Sequence, residues 1–143
     1  MKHYQLRVVK YLRPERLLLF LALGGVAAAQ NVDCIEELRV PRYNLSSRRS
    51  ATGGTVAASI LVGEGGRPAR IDTVTPDSNL ADEVRFYLSH GTTYLEGCAG
   101  KLIELKFTFE LAGEAEWDPP VFVSFRPPNH FVITSRPRKP NIN

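Results

Sequence analysis

The 143-residue chain is poor in the side chains that do chemistry. It holds two cysteines, three histidines, one methionine and one tryptophan. Only His90 and His130 lie beyond the first thirty positions. Neither has a partner at ligand spacing, such as a second histidine four residues along a helix, which argues against a zinc site. No G-x-S-x-G string occurs, so the strand-to-helix elbow of a serine hydrolase is missing. The string Gly97-Cys98-Ala99-Gly100-Lys101 looks like the end of a phosphate loop. The full motif needs glycine at 95 and serine or threonine at 102, and leucine stands at both. Cys98 as a nucleophile would need a base and an orienting group, and nothing local supplies them. The reading is a non-enzymatic protein without cofactor or metal.

A long apolar run is missing as well. The one candidate, Leu17 to Ala29 (LLLFLALGGVAAA), is shorter than the roughly 20 residues that a membrane-spanning helix needs, and Gly24-Gly25 weakens it as a helix. It follows a basic stretch and ends in small residues, the layout of a secretory signal. Cleavage is expected between Ala29 and Gln30. The alternative is an uncleaved anchor, and membrane contact is expected only in that case. Residues 1–29 carry five basic side chains (Lys2, Arg7, Lys10, Arg13, Arg16) and one acid (Glu15). The total of 18 basic and 15 acidic groups therefore leaves 13 and 14 for the rest, a net of −1. The overall charge of +3 thus belongs to the leader, and a phosphate-backbone binder's footprint is lacking. At 43% apolar and 23% charged, the chain is not disordered, collagenous or coiled-coil.

What is present is a patterned α+β domain. Val32 to Val40 offers a short helix or extended arm that Pro41 ends. A short helix is expected at about Asn44 to Arg49; Asn44-Leu45-Ser46 also fits a glycosylation sequon, relevant only in a eukaryotic host. Thr55 to Val62 and Arg67 to Val74 alternate around Gly63-Glu64-Gly65-Gly66, a hairpin whose glycines supply positive φ. Leu80, Val84 and Leu88 form the stripe of a helix running from Leu80 to His90, with Asp82 and Glu83 in its first turn, His90 capping its end and Gly91 at C′. Lys101 to Leu111 is the clearest strand: Ile103, Leu105, Phe107, Phe109 and Leu111 alternate with a mostly charged set. Val121 to Phe125 and Phe131 to Thr134 flank Arg126-Pro127-Pro128-Asn129 as a further hairpin or a pair of edge strands. Arg136 to Asn143 reads as a frayed tail. Cys34 and Cys98 form an even pair beyond the leader. Export favours a bridge, worth roughly 4 kcal/mol in the chain-entropy model, over two buried thiols.

The order of these pieces resembles the C-terminal domain of TonB, the periplasmic energy-transducing protein of Gram-negative bacteria. Pro41-Arg42-Tyr43 stands where that family has P-x-Y, and Gly54-Thr55-Val56 follows Tyr43 by the family's eleven-residue step. Gly66-Arg67-Pro68 matches its Gly-Arg-Val turn. Val74, a helix with Leu80 and Val84, an aromatic at Tyr94 and a last strand complete the series. Asn44 departs from the usual proline, and the aromatic-x-Pro signature is reduced to Tyr94-Leu95-Glu96-Gly97.

The resemblance implies a small antiparallel sheet with one or two helices packed on one face, here with a C-terminal hairpin extension. Residues 1–29 would be a signal peptide, 30–116 the TonB-like domain and 117–143 the extension and tail. It also implies binding of an envelope protein partner, such as an outer-membrane receptor segment, by strand addition beside the last strand. That strand is Leu102, Ile103, Glu104, Leu105, Lys106, Phe107, Thr108 and Phe109. A hairpin formed after Trp117 would compete for that same edge. The expected location is periplasmic or secreted. The alternatives are a membrane-anchored component of TonB-dependent transport and a structural envelope protein with self-covered edges.

Overall fold

The computed structural model describes residues 31–141. The expected signal peptide and its expected cleavage point between Ala29 and Gln30 lie outside the described residues. Alternation along Leu102–Leu111 makes this segment β5, and it is the centre of the molecule. Its apolar set (Ile103, Leu105, Phe107, Phe109) is almost wholly buried. On one side it pairs antiparallel with β2 (Gly54–Val62), so that Val56 faces Phe107, Ala58 faces Leu105 and Ile60 faces Ile103. Small residues of β2 thus meet large ones of β5 on the same face, which lets the layer interdigitate. β3 (Pro68–Val74) returns antiparallel beside β2, closed by the Gly63 amide donating to the Arg67 carbonyl at 2.7 Å.

That loop carries two left-handed glycines, Gly65 at φ +72° and Gly66 at φ +67°. They differ in surroundings. A Cβ on Gly65 meets open space, whereas one on Gly66 would strike the Tyr94 carbonyl oxygen. Gly65→Ala is therefore expected to cost about 1 kcal/mol, the left-handed penalty alone. Gly66→Ala should cost about 3 kcal/mol, because backbone must also move. Urea midpoints of the two variants test the ranking.

Two helices are present among the described residues. α1 (Leu45–Arg49) is capped by Asn44, whose Oδ1 accepts from the Ser47 amide at 2.7 Å. α2 (Ser78–His90) lays Leu80, Val84 and Leu88 on β2 and β3, the stripe read from the sequence. It starts two residues earlier than expected because Asp77 caps it, accepting from the Leu80 amide at 2.9 Å. Asp82 and Glu83 consequently sit beyond the first turn. At the other end the His90 ring stacks on Phe86 at 4.8 Å, with Nδ1 3.2 Å from the Phe86 carbonyl oxygen. Gly91 ends the helix at an ordinary φ of −124°; what excludes a side chain there is Arg39 packed over it.

β1 (Ile35–Glu37) and β4 (Thr93–Tyr94) form a separate two-stranded sheet. The Cys34–Cys98 disulfide ties this arm down, with Cα atoms 5.8 Å apart. Tyr43 packs edge-on to Phe109 at 5.3 Å and donates to the Thr52 carbonyl at 2.6 Å. The disulfide fits an oxidising, non-cytoplasmic compartment.

The C-terminal hairpin is β6 (Phe122–Arg126) and β7 (His130–Ser135), paired antiparallel. It completes the five-stranded order β3-β2-β5-β7-β6. The sheet is α+β as expected but mixed, since β7 runs parallel to β5, with Phe107 opposite Phe131 and Phe109 opposite Ile133. The cause is apolarity. β7 turns Phe131 and Ile133 to the core face, with Ile133 fully buried, and buries Val132 on the other face beside Thr108, while every residue of β6 stays exposed. The chain after β5 therefore passes the interior position, forms β6 outside and folds β7 back inward. The tail is not frayed over 136–139. The Glu116 amide donates to the Pro137 carbonyl at 3.0 Å, the Lys139 amide to the Glu116 carbonyl at 2.8 Å, and Arg136 is paired with Glu116.

Candidate functional site

The strand expected to receive a partner, Leu102 to Phe109 of β5, cannot do so. β2 occupies one side from Leu102 to Phe109. β7 occupies the other from Lys106 onward. The remaining carbonyls on the early part of the strand are met by side-chain amides. Asn31 Nδ2 donates to the Leu102 oxygen and Asn129 Nδ2 to the Glu104 oxygen, each at 3.0 Å. The Lys106 amide donates to the Asn129 carbonyl at 2.9 Å. Ile103, Leu105, Phe107 and Phe109 point into the core, while Glu104, Lys106 and Thr108 lie on the helix-free face. There a polar ladder crosses the strands, from Thr55 Oγ1 to Thr108 Oγ1 at 2.9 Å and from Thr108 Oγ1 to His130 Nε2 at 2.7 Å. The correction is physical: the C-terminal hairpin takes the edge that the shorter domain would have left bare.

The order of strands leaves β3 and β6 outermost. They differ as edges. β3 is blunted by Pro68 at its start and by the exposed pair Arg70–Asp72, 2.8 Å apart. Its pairing with β2 also slips between Leu61 and Val62. β6 has none of these devices along its length until Arg126. Phe122 is 66% exposed, and Val123 and Phe125 are each 50% exposed. Alternate N–H and C=O groups of such an outer strand face away from β7 with no neighbouring strand among the described residues to meet them.

Several contacts hold this edge in place. Pro119 is fixed by buried Arg48, whose Nη1 donates to its carbonyl at 3.0 Å, and Ser135 Oγ donates to the Pro120 carbonyl at 3.0 Å. Phe125 leans on Phe131 with ring centroids 4.8 Å apart, and Phe131 stacks on Phe107 at 5.6 Å. The inner faces of Phe125 and Phe131, with Leu105 below, form one wall of an open groove of about 270 Å³. Val32, Ile35 and Leu38 of the disulfide-tied arm form the other wall. The groove is thus apolar and runs beside a strand with free backbone.

Polar groups elsewhere are engaged in holding structure. Burial pushes the Tyr43 phenol up to about 12 and raises that of Tyr94, whose hydroxyl donates to the Leu88 carbonyl at 2.9 Å. Burial, with Lys106 and Arg126 nearby, holds His130 below the usual imidazole range, partly offset by Glu110. A cleft of about 660 Å³ opens between the end of α2 and Gly65-Gly66. Its adjacent Ser89 and His90 are 2.8 Å apart, yet the serine hydroxyl donates to the Arg85 carbonyl at 2.7 Å, so its proton is committed. No cluster of three or more His, Cys, Asp or Glu able to hold a metal occurs among the described residues.

Sequence reasoning read this segment as part of a hairpin or a pair of edge strands but did not place the partner site on it, although a signal was there. Phe-Val-Ser-Phe places apolar groups on both faces of one short strand, and Pro119-Pro120 and Pro127-Pro128 bracket it, as gatekeepers bracket a sticky segment. Compared with protein-family models, curated proteins and solved structures, the chain matches none of them.

Proposed function

We propose that this chain is an exported, non-enzymatic module that binds an extended segment of an envelope protein by strand addition to the outer side of β6. The observation that carries this reading is the conjunction of a bare edge at Phe122–Arg126 with the apolar groove beside it. Main-chain bonds to β6 supply affinity, and alternate side chains of the added strand settle against Val123, Phe125 and the groove. The resemblance to the TonB C-terminal domain supports the mode of binding and the class of partner, an outer-membrane receptor segment. It does not support the same strand, because β5 is sealed here. The apolar run before Gln30 and the disulfide support export to the periplasm or beyond. N-terminal sequencing of the exported protein should begin at Gln30; a start at Met1 would favour the anchored alternative.

Val123→Lys tests the site. The residue is half exposed, so stability should change by less than about 0.5 kcal/mol. Capture of outer-membrane receptor peptides over scrambled controls should weaken at least tenfold, the loss of about one buried aliphatic contact. No enrichment by the unaltered protein, or undiminished capture by the variant, would sink the reading.

A further inference from the structure

The sequence of β6 is complementary to itself. Let a second copy pair antiparallel along the outer side of β6 with a two-fold axis through Ser124. Phe122 then faces the second copy's Arg126, Val123 faces its Phe125, Ser124 faces its own equivalent, and the last two pairs repeat by symmetry. All five residues of each strand are paired. On the core side the apolar pair Val123 and Phe125 occurs twice. On the helix-free side each guanidinium of Arg126 lies against a Phe122 ring, a cation on an aromatic face. The smallest side chain of the strand sits at the axis, where the two copies come closest.

Other registers that keep both helix layers on one side are poorer. Sliding by two residues one way sets Val123 against Pro127, which removes a backbone donor from the seam, and the other way sets Arg126 against Pro120 and Phe122 against Ser124, which separates the cation from the aromatic ring. In the register centred on Ser124 the prolines fall just outside the ladder and stop it there. β3 offers no comparable arrangement, because its bulge and its Arg70–Asp72 pair interrupt the edge.

We propose that a second copy of this chain is the resting occupant of the β6 edge, joined through a two-fold axis at Ser124, and that a receptor segment must displace it to bind. This rests on the reading of β6 as the strand-addition site and adds its regulation. The two apolar grooves become continuous across the axis, each receiving Val123 and Phe125 of the other copy. The contact is short, so the dimer is weak and concentration-dependent.

Sedimentation of protein isolated from cells expressing the whole chain tests this. The unaltered protein should shift from monomer to dimer as concentration rises. Ser124→Lys and Ser124→Asp each put like charges face to face at the axis and should raise the dimer dissociation constant about tenfold or more. An equimolar mixture of the two variants should restore dimers, since Lys then faces Asp. Peptide capture per molecule of the unaltered protein should rise as the protein is diluted through its monomer–dimer transition, because the receptor segment competes with the second copy for the same edge. A monomer at all concentrations, or a dimer that survives both variants, or a mixture that stays monomeric would overturn the proposal. Peptide capture is read separately: its loss in Val123→Lys with no dimer in the unaltered protein leaves strand addition standing and self-pairing refuted.

Discussion

Replacing Cys34 and Cys98 together by serine should lower the melting temperature by roughly 15 °C. The bridge closes a loop with a sequence separation of 64. Freeing a loop of that length returns about 4 kcal/mol of conformational freedom to the unfolded chain. Both sulfurs are buried, Cys34 at 1% and Cys98 at 7% exposure, so the serine hydroxyls add a desolvation cost of their own. The loss should be nearly the same in each single variant, because either one opens the loop. Scanning calorimetry of the three variants, beside the unaltered protein with and without reductant, measures this. A fall of less than about 5 °C would mean that the arm from Val32 to Leu38 is held by packing alone. Under the proposed strand addition at β6, the variants should also capture peptide poorly, since that arm is one wall of the groove.

Phe107→Ala is the second large effect, at about 4 kcal/mol. Phe107 is fully buried, stacks on Phe131 at 5.6 Å and lies between Val56 of β2 and Phe131 of β7. It is the point where the part of the sheet with strong local patterning meets the added hairpin. Removing the ring leaves a cavity that the neighbouring strands are too tightly paired to fill. Phe107→Leu should cost about 1.5 kcal/mol, because most of the volume is kept. Denaturant unfolding gives both values. An alanine variant within about 1 kcal/mol of the leucine variant would show that β7 can move inward.

How much of this was legible in the sequence depended on the range of the interaction. β2, β5 and α2 were readable because their burial follows periods of two and 3.6 residues, and Leu80, Val84 and Leu88 stand where that period puts them. The cysteine pairing was readable from parity and context. The start of α2 was misread by two residues because Asp77, and not a later polar residue, reaches the Leu80 amide. The sealing of β5 was not readable. It depends on Asn31 and Asn129, single amides acting across sequence separations of 71 and 25, and on the parallel placement of β7. No local pattern states whether an apolar strand pairs parallel or antiparallel. That choice was made by competition between two short segments, with Phe131 and Ile133 taking the core face ahead of Val123 and Phe125. The candidate site followed from this competition, so it moved with it from β5 to β6.

The late position of β7 in the chain has a consequence for biogenesis. β2, β3, α2 and β5 are complete by Leu111, but the second flank of β5 is supplied only by His130–Ser135. On the proposed export route, a polypeptide threading vectorially through a channel presents a half-finished ribbon, with Phe107 and Phe109 uncovered on one flank, until residues 130–135 have emerged. For that interval the nascent molecule is open to misassociation, and a holdase that grips extended hydrophobic segments would shield it during the last stage of transit.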